Sequence, residues 1–265
     1  MNKSKSNLLS KKIREHCLNM SFNAKSSHLG SALSIADIIA VLYSDILSVN
    51  YKMSKNRDRF ILSKGHACTA VYAALAEKNF ISKKKLLEYG KNFSILSQHI
   101  NHKVNGVEFS TGSLGHGLSF GIGKSLYALE EKKSWKVYVL ISDGEMNEGS
   151  LWEALLFINH HKLNNLIIIL DYNKLQSLDT TENTLKLEPL EDKLKSFGFK
   201  TIVIDGHNHN QIKKSLKEKS NKPKFIIANT VKGKGVSFME NKVEWHYKSP
   251  DYNQLIKALE EVIHK

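Results

Sequence analysis

The chain has 265 residues, enough for one large domain or two small ones, and 41% of them are hydrophobic, ordinary for a protein that buries a substantial core. No apolar run approaches the roughly 18 residues a membrane span needs, and the basic N-terminus lacks an apolar signal core, so a cytoplasmic protein is expected, with Cys17 and Cys68 as reduced thiols. The net charge of +13 comes from dispersed lysines, the arginines being Arg14, Arg57 and Arg59, which argues for a solvated surface rather than a nucleic-acid interface.

Apolar residues recur at three to four over 7–22, through Leu8, Leu9, Ile13, Cys17 and Met20, and predict a helix. A second, more buried helix is predicted over 33–48, a short strand over 59–63 ending before Gly65, and a packed helix over 66–78. Residues 90–114 carry no clean periodicity and read as an extended loop region. A helix follows from a glycine-rich start at Gly115 to about Lys133, then a strand over 136–142. The next helix is predicted from Ser150 to Lys162, with Ser150 as N-cap and Glu153 completing a capping box. Strands at 166–171, 200–204 and 224–230 alternate with helices at 189–197 and 209–219, and a last helix spans 252–264. The strands are continuous apolar runs, the pattern of a parallel sheet covered by helices on both faces. With no repeat, no low-complexity linker and three prolines, one α/β domain over 1–265 is the economical expectation.

In such folds ligands sit at the carboxyl ends of the strands. Ser142-Asp143-Gly144-Glu145 directly follows one predicted strand, and Asp171-Tyr172-Asn173 ends the next. Either alone is more often a turn than a site. Brought together, the Asp143 and Asn173 side chains offer hard oxygen ligands that diphosphate oxygens and a carbonyl from the following turn would complete around Mg²⁺ or Ca²⁺. Gly144 would let the backbone approach phosphates closely. Of the twelve histidines, His160, His161, His207 and His209 read as surface or satisfied core residues, and His116 as structural.

AKSSHLGSALSIAD (24–37), NRDRFILSKGHA (56–67), GVEFSTGSLGHGLSFGIG (106–123), SDGEMNEGSLWEA (142–154), DYNKLQ (171–176) and TVKGKGVSFMENKVEWH (230–246) resemble, in this order, the N-terminal, diphosphate-binding region of transketolases, specifically the split form in which two chains share an active site. The resemblance runs nearly end to end. It implies the thiamine-diphosphate-binding fold, thiamine diphosphate with Mg²⁺ as cofactors (Ca²⁺ or Mn²⁺ able to substitute), and transfer of a two-carbon ketol unit from a ketose or ketose phosphate to an aldose. Asp143, Asn173 and the Leu175 carbonyl match the metal ligands. Gly112, Ser113, Leu114, Gly144 and Glu145 match cofactor-contacting positions. His66 and His246 match histidines at the diphosphate or substrate channel, and His28 and His99 those near the thiazolium and the donor's hydroxyls, His102 lying close enough to His99 to exchange with it. Glu148 matches a glutamate of a carboxylate chain linking paired sites.

The resemblance also implies a partner. The pyrimidine-activating half has no counterpart in these residues, so a separate C-terminal, pyrimidine-domain chain is expected, in an α2β2 assembly. The sequence departs from the family pattern at Ser142, where the first glycine of Gly-Asp-Gly is usual, at Leu29, Ile100, Asn105 and Ser113, where proline is common, and at Tyr247, where glycine is common. Alternatives are the alpha chain of a 2-oxo-acid dehydrogenase, a split deoxyxylulose-phosphate synthase, and a non-catalytic scaffold paralogue; the SKGHA and EWH segments favour transketolase.

Overall fold

The computed structural model describes residues 4–50 and 52–264. Helix α1, Lys5–Ala24, starts where the Ser4 hydroxyl accepts the Asn7 amide, and it buries Leu9, Ile13, Cys17 and Met20, while Leu8 points outward. The predicted helix over 33–48 is broken. It becomes α2 (Leu29–Ser34), an irregular Ile35, α3 (Ala36–Val41) and a π turn over Leu42–Ile46. Periodicity carries no sign of such a break, because Leu33, Ile38, Ile39 and Leu42 are buried on either side of it.

Five parallel strands follow: β1 (Arg59–Leu62), β2 (Val137–Ser142), β3 (Leu166–Tyr172), β4 (Lys200–Asp205) and β5 (Lys224–Asn229). Their order is β1-β2-β3-β5-β4. The first three are buried throughout, as continuous apolar runs require, β1 included although it is an edge strand, whereas β4, at the other edge, leaves Val203 45% exposed. Side chains alternate between the two faces. Tyr138, Leu140, Ile167, Ile169 and Ile226 pack with α1–α3, with α4 (Cys68–Glu77), with α9 (His209–Lys217) and with α10 (Tyr252–His264). Val139, Ile141, Ile168, Leu170 and Ile227 pack with α5 (Gly117–Glu130), α6 (Gly149–His160) and α8 (Leu190–Ser196), and a single turn, α7, covers Thr181–Thr184.

Residues 90–114 contain neither helix nor strand, as expected. The predicted capping box on α6 does not form. Glu148 is the N-cap residue and its side chain makes no cap bond, while the Ser150 hydroxyl donates 3.1 Å to the Gly115 carbonyl. The helix begins at Gly149, so Ser150 lies one residue inside it and is not placed to cap its first turn. Among the described residues no helix is long and apolar enough to cross a membrane.

Candidate functional site

Ser142 and Asp171 are register partners on β2 and β3, so the turns after them leave the sheet side by side. Asp143 begins one and Asn173 the other. The Asp143 carboxylate is 2% exposed and accepts the Gly144 amide at 2.8 Å and the Lys174 amide at 2.7 Å. Asn173 donates its amide N–H to Asp171 at 3.1 Å, which fixes the orientation of its carboxamide, and its Oδ1 accepts from the Leu175 amide at 3.1 Å. The Leu175 and Gln176 carbonyls accept from Lys232 Nζ, at 3.3 and 2.8 Å.

Beneath these turns lies a fully buried ion pair, Lys64 with Asp171. Asp171 also accepts from Thr230 Oγ1 and, at 2.7 Å, from Ser34 Oγ. Burial alone would raise its carboxyl, but Lys64 holds it below the ordinary value. Asp143 has no such partner. Burial, and then the charge of Asp171, push it up to about 7.

Four histidines form the opposite wall. His28 has φ +70°, a left-handed conformation uncommon for a residue with a side chain, and its amide donates 2.7 Å to the His246 carbonyl. Its ring lies 5.1 Å from that of His66, 5.0 Å from His246 and 5.9 Å from His99. Ser31 Oγ and His66 Nε2 are 3.0 Å apart. Lys232 Nζ donates 2.9 Å to His246 Nδ1, which requires that ring's proton on Nε2. Burial first, then neighbouring His99 and the lysines, bring His28 down to about 4; burial, then Lys232 and His28, bring His246 to about 3; burial, then Lys64, hold His66 well below the imidazole range. All three are therefore neutral at pH 7. Tyr247, 4.7 Å from His246, stands at the rim.

The cleft between the walls has a volume of about 280 Å³. His28, His66, His99 and His246 line it, with Gly112, Leu114, Asp143, Gly144, Asn173 and Leu175. His102 stays outside, exposed, with Nδ1 2.7 Å from Ser110 Oγ. Ser113 is exposed beyond the lining, and Glu148 is exposed at the start of α6. Glu145 is fully buried away from the cleft; it accepts from Ser63 Oγ, from the Gly115 amide at 2.9 Å and from the Ser142 amide at 3.2 Å, tying together the ends of β1 and β2 and the 112–115 segment. Residues that motif reading did not assign also line the cleft: Ser31, Gln176 and Lys232. Lys232 and Lys64 sit inside family motifs right after strands, a position that could have flagged them.

A divalent cation and a diphosphate fit this arrangement. Among the described residues no three His, Cys, Asp or Glu side chains converge to hold a metal alone. Asp143, Asn173 and the Leu175 carbonyl are instead an all-oxygen partial set that needs oxygens from an anionic ligand. The raised Asp143 carboxyl is a buried acid lacking the positive charge that a cation would bring. A Cβ on Gly144 would meet nothing closer than the Gln176 side chain, at an ordinary contact distance of 3.7 Å, so no other group crowds that backbone.

The transketolase, thiamine diphosphate binding domain family matches residues 5–261. The chain is 39% identical over 260 residues to an apulose-4-phosphate transketolase subunit of Phocaeicola vulgatus, covering 96% of this chain and 92% of that protein. It is 38% identical over 225 residues to a 6-deoxy-6-sulfo-D-fructose transketolase subunit of a Clostridium species, covering 83% and 82%. The crystal structure of transketolase from Campylobacter jejuni superposes with a TM-score of 0.93 at 30% identity, over 99% of this chain but 43% of that one. The chain belongs to the transketolase family, as a thiamine diphosphate binding domain.

Proposed function

We propose that this chain is the cofactor-binding half of a two-chain transketolase, acting with a separate pyrimidine-domain chain, in an α2β2 assembly, to move a two-carbon ketol unit from a ketose phosphate to an aldose. The observation that carries the reading is the paired strand ends: two oxygen ligands in the turns after neighbouring strands on one wall, four clustered histidines on the other. The near-complete coverage of a relative that is itself named as one subunit of a transketolase, against less than half of a one-chain transketolase, supports the two-chain form.

Asp143, Asn173 and the Leu175 carbonyl would hold Mg²⁺, and Lys232, 1% exposed, would bring positive charge to a diphosphate. Bound there, thiamine diphosphate supplies the electron sink for the two-carbon unit. His28 and His66, kept neutral, can accept a proton from a sugar hydroxyl or share a hydrogen bond with it, and His99 adds a further imidazole to the same wall. His246, with its proton on Nε2, can only donate from that atom. Gly112 and Leu114 would border the cofactor. Glu148, exposed at the start of α6, is free to face a second copy.

The test is calorimetry of thiamine diphosphate with Mg²⁺ on the chain co-purified with its pyrimidine-domain partner, followed by a screen of ketose donors. Residues that merely orient a metal ligand contribute about tenfold to a hundredfold in affinity, so Asp143→Ala and Asn173→Ala, which delete ligands, should each weaken cofactor binding by about a hundredfold or more. Wild-type affinity in both variants would remove the metal assignment. Steady ketol transfer by the single chain would overturn the two-chain reading. The relatives are named for two different sugars, so branched and sulfonated donors both belong in the screen.

A further inference from the structure

Asp37 lies on α3, 5% exposed, outside the cleft lining. Arg14 from α1 grips it with both terminal nitrogens, at 3.0 Å to Oδ1 and 2.6 Å to Oδ2. His207 Nδ1 is 2.8 Å from Oδ2 and His209 Nε2 is 3.1 Å from Oδ1. Burial alone would raise this carboxyl, but Arg14 and then the two imidazoles hold it well below the usual carboxylate range.

This cluster does more than satisfy itself. His207 Nε2 accepts the Val231 amide at 2.8 Å, and Arg14 Nε donates 3.0 Å to the Lys234 carbonyl. Val231 and Lys234 flank Lys232, so the backbone is gripped on both sides of that lysine. An imidazole that accepts at Nε2 carries its proton on Nδ1, and Asp37 is the acceptor of that proton. The carboxylate thus selects the tautomer that Val231 needs. Gly235, at φ +101°, leaves room where a Cβ would come within 3.0 Å of the Arg14 side chain. Between the two grips Gly233 donates 2.9 Å to the Gly30 carbonyl, at the base of the helix that follows His28. Lys232 is then delivered to Leu175, Gln176 and His246.

We infer that Asp37, Arg14 and His207 are positioning residues: they hold the 231–234 segment so that Lys232 reaches across the cleft floor and joins the metal-side turn to His246. The role of Lys232 in cofactor binding rests on the proposed two-chain transketolase function; the clamp itself does not.

The discriminating variants are His207→Asn and His207→Gln in the full chain, co-purified with its pyrimidine-domain partner. Asparagine keeps a donor for Asp37 but is too short for Val231, whereas glutamine offers a carbonyl oxygen near the Nε2 position. Two readouts are used: amide hydrogen exchange along 229–236, and calorimetry of thiamine diphosphate with Mg²⁺. One lost buried hydrogen bond corresponds to roughly fivefold to tenfold. His207→Asn should therefore speed exchange at Val231 and weaken cofactor binding by about that factor, and His207→Gln should recover most of both. Unchanged exchange at Val231 in His207→Asn overturns the clamp. So does a uniform speeding across the chain that tracks a lower melting temperature, while faster local exchange with wild-type cofactor affinity overturns the claim that the clamp positions Lys232 for the cofactor. If the wild-type protein binds no cofactor, the functional reading fails instead, and local exchange at Val231, Lys232 and Gly233 alone decides whether the clamp exists.

Discussion

Two groups of histidines sit at the same end of the sheet, on opposite terms. His207 and His209 share one carboxylate, Asp37, and each has a second polar neighbour, Val231 N–H for the first and Ser6 Oγ for the second. His28, His66 and His246 face one another and two lysines, with no carboxylate in hydrogen-bond reach among the described residues. A histidine saturated by an anion is an anchor. A histidine crowded by cations and by its own kind stays neutral and keeps ring nitrogens for a ligand. Burial alone does not separate the two groups; the sign of the neighbouring charge does.

The sharpest way to break this contrast is to truncate one member of the cleft group. His66→Ala and His99→Ala, with partner and cofactor saturating, should each cut turnover by about a hundredfold to ten-thousandfold while the melting temperature hardly moves. An unchanged rate in both would make these rings bystanders. Asp37→Asn probes the other group. It keeps the shape but leaves Arg14 buried without its counter-charge, and the cost should be about 3 kcal/mol of unfolding free energy in urea titrations. A loss of a few tenths would mean that the cluster is not an anchor.

The smallest and most diagnostic effect is on pH. The folded values of His28 and His246, near 4 and 3, lie below the ordinary imidazole value of about 6.5. Their contribution is therefore complete above about pH 6.5 and is lost as the pH falls toward 4. Asp37, held below the carboxylate range, loses its contribution only at still lower pH. Asp143, raised to about 7, acts in the opposite sense and gains stability as it protonates on the way down. The comparison must then be made between proteins: from pH 7 to pH 4.5 the urea midpoint of a His28→Asn/His246→Asn double variant should fall less than that of the wild type. Equal falls would show that the cleft histidines are not kept neutral.

Much of the site was legible because chain order does the work. A residue directly after a buried strand must emerge at the sheet's carboxyl edge, and Asp143 and Asn173 follow neighbouring strands. The four cleft histidines were found through motifs, since no spacing rule would have gathered residues 28, 66, 99 and 246. The cations were missed for a physical reason: in a chain with 39 lysines and arginines, a lysine reads as solvated surface, and only the position of Lys64 and Lys232 after strands, inside motifs, sets these two buried ones apart. Ser150 misled because a capping box is a local rule, and the helix starts one residue earlier, at Gly149 with Glu148 before it, which puts Ser150 inside the first turn. Glu145, read as a cofactor contact beside Gly144, instead satisfies three donors inside the protein, a fate decided by which way one buried side chain turns. The edge position of β4 was equally invisible, since strand order is not written in any one strand.

The register of β3 carries a consequence for how this protein can change. Asp171 shares a face with Ile167 and Ile169, the side on which Ser34 and Lys64 wait. One residue inserted anywhere in 166–170 would turn Asp171 to the other face, among Ile168, Leu170 and Ile227, as a buried acid with no lysine beside it. Loops after the strands can lengthen to suit a new ligand; β3 itself is a ruler whose length cannot drift by a single residue.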